Sequence, residues 1–126
     1  MPLWTFKDYV SPAGTNDVSG WCEALSVKAQ ARLDAILEHL EASQSWSGQE
    51  FKRLSGDKYQ GLGEVRFKDG GVPCRLIGMN GPGKGEYTFL IGCTHKDDKY
   101  DPPSALDTAT ERRKLLEAEE ATTSDH

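Results

Sequence analysis

The sequence has no apolar run approaching the roughly 20 residues that a membrane-crossing helix needs. Its opening stretch, Met1-Pro2-Leu3-Trp4-Thr5-Phe6-Lys7-Asp8, lacks the basic segment followed by an apolar one that marks a secretory leader. A cytoplasmic location is the expectation. Cysteine is scarce: Cys22, Cys74 and Cys93 are an odd set without a C-x-x-C pair. Neither a disulfide framework nor a zinc ribbon is implied, and reduced, packed thiols are expected. His39, His95 and His126 lack the i, i+4 spacing of a helical metal site, so no metal and no other cofactor is expected.

What is present fits an ordinary globular chain. With 126 residues, 37% hydrophobic and 28% charged, there is enough apolar material for one core and not for two. One domain over residues 1–121 with a frayed tail at 122–126 is expected. The net charge of -5 argues against a uniformly basic nucleic-acid binder. The charge is unevenly spread, however. Residues 52–100 hold 9 Lys/Arg against 6 Asp/Glu, whereas residues 1–51 and 101–126 each hold 3 against 7. A basic middle between acidic flanks focuses positive field locally.

Leu3 to Val10 alternates large and polar side chains and reads as a strand ended by Ser11-Pro12-Ala13-Gly14. Trp21, Leu25, Ala29, Leu33, Ile36, Leu37 and Leu40 then recur at spacings of three and four, which predicts one helix from about Ser19 to Glu41. Its other face, with Lys28, Arg32, Asp34, Glu38 and Glu41, reads as solvated surface. Gln49 to Leu54 is expected as a short second helix, with Trp46, Phe51 and Leu54 packed on the first. Three strands follow, Leu62 to Phe67, Val72 to Gly78 and Tyr87 to Thr94, whose short connections make them antiparallel neighbours. After Pro102-Pro103, a helix capped by Ser104 or Asp107 runs to about Ala121.

Gly78-Met79-Asn80-Gly81-Pro82-Gly83-Lys84-Gly85 matches most of a phosphate-cradling G-x-x-x-x-G-K loop, but Gly85 stands where a Ser or Thr must reach magnesium. The next residues, Tyr87-Thr88-Phe89-Leu90-Ile91, read as a strand rather than the required helix. A glycine-rich hairpin loop without nucleotide is the expectation, with Lys84 as a mobile charge for RNA phosphate.

Gly61-Leu62-Gly63-Glu64-Val65-Arg66, the Arg75 strand, Thr94-His95-Lys96 and Pro102-Pro103 before an Arg-rich helix stand in order behind the Lys28-Ala29-Gln30-Ala31-Arg32 helix and Phe51-Lys52-Arg53-Leu54. In order and spacing the chain resembles the RelE/HigB toxin superfamily, in particular its phage-associated HigB-like branch, over about residues 20–117. The resemblance implies an α+β fold: a small curved antiparallel sheet with two N-terminal helices packed on one side and a C-terminal helix. It also implies a metal-independent endoribonuclease, an mRNA interferase of a type II toxin-antitoxin pair that cuts messenger RNA on the ribosome. The implied partners are that messenger RNA and a cognate antitoxin of helix-turn-helix type, with no membrane and no nucleotide.

Such cleavage drives a 2′-hydroxyl onto the adjacent phosphate, and needs a proton acceptor, a proton donor and cations at the developing charge. Arg66 and Arg75 suit the cationic task, because a guanidinium forks onto two phosphate oxygens. His95, Lys96, Lys99 and Tyr100 are the candidates for proton transfer, and Lys52 and Arg53 for holding RNA backbone. Each arginine has a plainer reading as a cross-strand partner of Glu64 or Glu86. Gly63 stands where the family commonly has an aromatic residue, and Lys96-Asp97 where it has two lysines. The net acidity and Asp97-Asp98 favour an alternative: a non-catalytic binding protein on the same fold, either a ParE-like gyrase inhibitor or a phage-encoded scaffold.

Overall fold

A computed structural model describes residues 2–126 as an α+β fold of three helices and an open, mixed seven-stranded sheet. The strands are β1 (Thr5–Val10), β2 (Phe51–Arg53), β3 (Leu62–Asp69), β4 (Val72–Asn80), β5 (Glu86–Lys96), β6 (Lys99–Asp101) and β7 (Thr122–Asp125). The helices are α1 (Asp17–Glu23), α2 (Val27–Glu41) and α3 (Ala105–Glu117), none long and apolar enough to cross a membrane. The main sheet runs β2-β3-β4-β5-β1-β7, with β6 folded back on the end of β5. The three central strands are antiparallel neighbours as expected, and β5 lies between β4 and β1.

The sheet is not wholly antiparallel. Thr5 to Asp8 of β1 pair in parallel with Glu86 to Phe89 of β5. Parallel pairing requires a long crossover, and the helices and three strands between β1 and β5 provide one. Further departures concern element boundaries. The single helix expected from Ser19 to Glu41 is broken at Ala24-Leu25-Ser26, because both Asn16 and Ser26 act as caps: Ser19 N donates to Asn16 Oδ1 at 2.9 Å and Ala29 N to Ser26 Oγ at 3.1 Å. The helix expected over Gln49 to Leu54 is strand β2, paired to Gly63, Glu64 and Val65. Pairing carries Phe51 into an aromatic cluster against Trp46 and Tyr87, which overrides its local helical pattern. Leu54 belongs to the opposite face from Trp46 and Phe51. Residues 122–126 are not a frayed tail: β7 pairs with β1, and His126 Nδ1 lies 2.6 Å from the buried Asp8 carboxylate.

Side-chain alternation divides the core into two layers. Leu33, Ile36, Leu37 and Leu40 of α2 meet Val65, Phe67, Leu76, Tyr87 and Phe89 on one face, with Leu25 half-buried beside them. Ala105, Ala109 and Leu116 of α3 meet Leu62, Ile77, Met79, Leu90 and Cys93 on the other. Among the described residues fourteen are buried in the α2-side cluster and nine in the α3-side cluster, and each large apolar side chain among them is worth roughly 1.5–3 kcal/mol of transfer free energy.

Gly63 is explained by this packing. A Cβ there would lie 2.5 Å from Phe51 Cζ and 2.9 Å from the Tyr87 hydroxyl, both inside the buried aromatic cluster. Gly63→Ala is therefore expected to destabilise the fold by about 1–3 kcal/mol, the usual cost of overpacking, read as a lower urea midpoint at unchanged slope. Tyr87→Phe should not destabilise it, because the buried Tyr87 hydroxyl has no hydrogen-bond partner.

Candidate functional site

On the α3 side of the sheet the alternation brings Glu64 and Arg66 of β3, Arg75 of β4, Cys93 and His95 of β5 and Tyr100 of β6 to one end. Arg66 is directly opposite Arg75, Arg75 opposite Cys93, and His95 opposite Tyr100. Two like charges facing each other across a ladder repel. Glu64, 1% exposed, resolves the conflict. Its Oε1 accepts from Arg66 Nε at 2.9 Å, and stands 2.8 Å from Arg66 Nη2 and 3.6 Å from Arg75 Nε. Its Oε2 accepts from the Tyr100 hydroxyl at 2.7 Å.

The two arginines are not equivalent. The Arg75 side chain is 14% exposed and Arg66 31%. Arg75 Nη1 donates to the Cys74 carbonyl at 3.0 Å, while its Nε is buried without a hydrogen bond. Arg66 keeps a guanidinium edge toward solvent, and both line an open cavity of about 450 Å³. Burial, reinforced by the bond to Glu64, pushes the Tyr100 phenol well above its ordinary value, so it keeps its proton and acts as a donor. Burial first, and the Glu64 carboxylate second, push the Cys93 thiol up to about 12.

The other expected site residues fall around this cluster or away from it. The His95 ring is half-buried and packs edge-on against Tyr100 with centroids 4.8 Å apart. Lys96 and Lys99 are exposed and face each other across the β5–β6 hairpin. The turn between them is Asp97-Asp98, with φ of 52° and 62°. Short polar side chains tolerate such left-handed turn positions, which accounts for acidic residues beside the lysines. Lys52 is opposite Glu64 on the exposed strand β2, and Arg53 lies over the Phe51 ring at 5.6 Å. Lys84 is exposed in the loop before β5, at the far end from Lys96. Eleven residues of strand separate those ends, roughly 35 Å, so Lys84 does not join the cluster. The glycine-rich segment around it is strand, loop and strand, as expected.

Glu64 is the member that sequence reasoning underweighted. It was a possible ion-pair partner, whereas in the fold it is the group on which both arginines and Tyr100 converge; the Glu64-x-Arg66 alternation within one strand was the available signal. Among the described residues no group of three or more His, Cys, Asp or Glu is placed to hold a metal. In comparisons with known proteins, the chain matches no family model, no curated protein and no solved structure.

Replacing Glu64 by Ala leaves Arg75 buried without its counter-charge, and should cost about 3–5 kcal/mol of stability, whereas Tyr100→Phe should cost about 1–3 kcal/mol; chemical denaturation ranks the two. Alkali gives a separate test. The folded Cys93 thiol holds its proton more tightly than the unfolded one, so the fold loses stability as pH rises from about 9 toward about 12. At pH 10 the loss from this thiol is about 1–2 kcal/mol relative to pH 7, and Cys93→Ala should remove that part of the pH dependence.

Proposed function

We propose that this chain is a metal-independent endoribonuclease of the RelE/HigB toxin kind, acting on ribosome-bound messenger RNA and held in check by a cognate antitoxin. The observation that carries the reading is the convergence of Arg66, Arg75 and Tyr100 on buried Glu64, with His95 packed on Tyr100. In the reaction the 2′-oxygen attacks phosphorus, the bond to the 5′-oxygen breaks, and a cyclic phosphate and a free 5′-hydroxyl result. Arg66, with its exposed edge, meets the phosphate oxygens where charge grows. His95 takes the 2′-hydroxyl proton and water protonates the departing 5′-oxygen. Lys96 and Lys99, on the opposite face of the β5–β6 hairpin from His95, add positive charge at its tip. Glu64, Arg75 and Tyr100 are positioning residues: joined through the buried Glu64 carboxylate, they fix the Arg66 guanidinium and the His95 ring. Of the two arginines that suit the cationic task, Arg66 is thus the phosphate contact and Arg75 its support.

One observation favours the non-catalytic alternative, a gyrase-inhibiting or scaffold protein on the same fold. Glu64 offsets one of the two guanidinium charges, and Asp97 and Asp98 stand beside Lys96 and Lys99.

Expressed alone, the chain should arrest growth and cut translated messenger RNA. His95→Ala should lower cleavage about 100- to 10,000-fold, and Arg66→Ala about 100- to 1,000-fold, with both variants remaining folded. Wild-type expression that leaves growth and ribosome-bound transcripts intact would falsify the ribonuclease reading; gyrase inhibition by the purified protein would establish the alternative.

A further inference from the structure

The Arg66–Arg75 cavity continues past the sheet. Strand β2 has only three residues, so the end of β3 beyond its partner is uncovered, and the cavity there reaches Arg32 on α2 and Lys68 on β3. A second cavity, of about 310 Å³, shares Arg32 and Lys68 and extends to Lys28 and the Gly70-Gly71 turn. Together they form one groove between α2 and the free edge of β3.

Its charge is unlike that of the rest of the molecule. Lys28, Arg32, Arg66, Lys68 and Arg75 line it, and Glu50 is the single lining carboxylate. Glu50 stands 3.5 Å from Arg32, a pair whose side chains are 57% and 37% exposed and therefore weakly coupled. Lys28 and Lys68 are exposed and make no ion pair among the described residues. Lys28 and Arg32 are four apart on one helix, an arrangement of like charges that is unfavourable by itself. Concentrating cations in a groove of a chain with net charge -5 focuses positive field there. The one aromatic lining residue, Phe67, is buried in the core and offers no stacking face. Such a groove contacts backbone phosphates and not bases.

We propose that this groove binds the phosphate backbone of single-stranded RNA without regard to sequence, with Arg32 and Lys68 as its central contacts and Lys28 at its far end. The choice of RNA rests on the ribonuclease reading; the groove and its cations do not. The backbone then passes from the Arg66 edge over β3 to α2, giving a track leading away from the point of cleavage.

The test uses a fluorescein-labelled 12-nucleotide oligouridylate and fluorescence anisotropy across a salt series. For single strands log K changes by about 0.7 per phosphate neutralised, so the Arg32→Ala/Lys68→Ala double variant should lower the salt slope by about 1.4 and weaken binding about tenfold or more at 0.1 M salt. Glu50→Gln removes the opposing charge and should tighten binding about two- to fivefold, a gain that misfolding cannot mimic. Double-variant binding equal to wild type in affinity and slope overturns the proposal, as does flotation of the wild type on anionic phospholipid vesicles with no RNA binding. Growth arrest and transcript cleavage, followed in parallel, separate the two ideas. Groove-dependent RNA binding without cleavage supports the groove and removes the ribonuclease reading; cleavage with groove-independent binding does the reverse.

Discussion

A single carboxylate buried between two arginines fastens one end of this sheet. Glu64 on β3 bonds Arg66 on its own strand, faces Arg75 on β4, and accepts the Tyr100 hydroxyl from β6. Remove it, and two guanidiniums confront each other across a ladder, one of them nearly out of water. Burying the Glu64 carboxylate and most of the Arg75 guanidinium costs more than burying hydrocarbon of the same volume, so the cluster is poor material for stability alone. What it supplies is fixed geometry: the β5–β6 hairpin is tied to the sheet, and the exposed edge of Arg66 is held in one orientation. A site for an anion needs that kind of preorganisation more than it needs raw charge.

The two faces of the sheet divide the labour. The α1–α2 face is filled by aromatics, with Trp46, Phe51, Tyr87 and Phe89 in edge-on contact, and it is tight enough to exclude a methyl group at Gly63. The α3 face is aliphatic near the helix and polar beyond its reach, where Glu64 and its partners lie. The polar cluster therefore rests on a rigid back wall, and the flexible lysines are confined to the hairpin tip.

Much of this was legible in the sequence, for physical reasons that differ by element. The spacing of Leu33, Ile36, Leu37 and Leu40 announces α2, since no other structure places those residues on one side. Strands β3 to β5 were legible from alternation and from Gly70-Gly71 between them. Strand β2 was not, because three residues cannot establish a period and only the Trp46–Tyr87 cluster gives Phe51 its place. Thr122-Thr123-Ser124-Asp125 has the polarity of a loose tail; it becomes a strand because β1 presents a free edge. In the site, that Glu64 and Arg66 share a face follows from their spacing. That Glu64 is fully covered depends on β6 folding back, and the Asp97-Asp98 turn that permits it looked like a defect in a basic patch.

The position of β1 bears on how the chain assembles. Its hydrogen-bonding partners are β5 on one side and β7 on the other, so Lys7 meets Thr88 across the parallel ladder and Asp125 across the antiparallel one. The ladder partners of β1 thus lie far along the chain from it. The hairpins β3–β4 and β4–β5 join neighbours in sequence, whereas β1, which carries Phe6 and Tyr9, has no ladder partner close to it in the chain. Non-local pairings of this kind slow the final step of folding and leave apolar side chains open to wrong partners in the interval. With β1 lying between β5 and β7, the sheet is complete only when segments from opposite ends of the described residues have met.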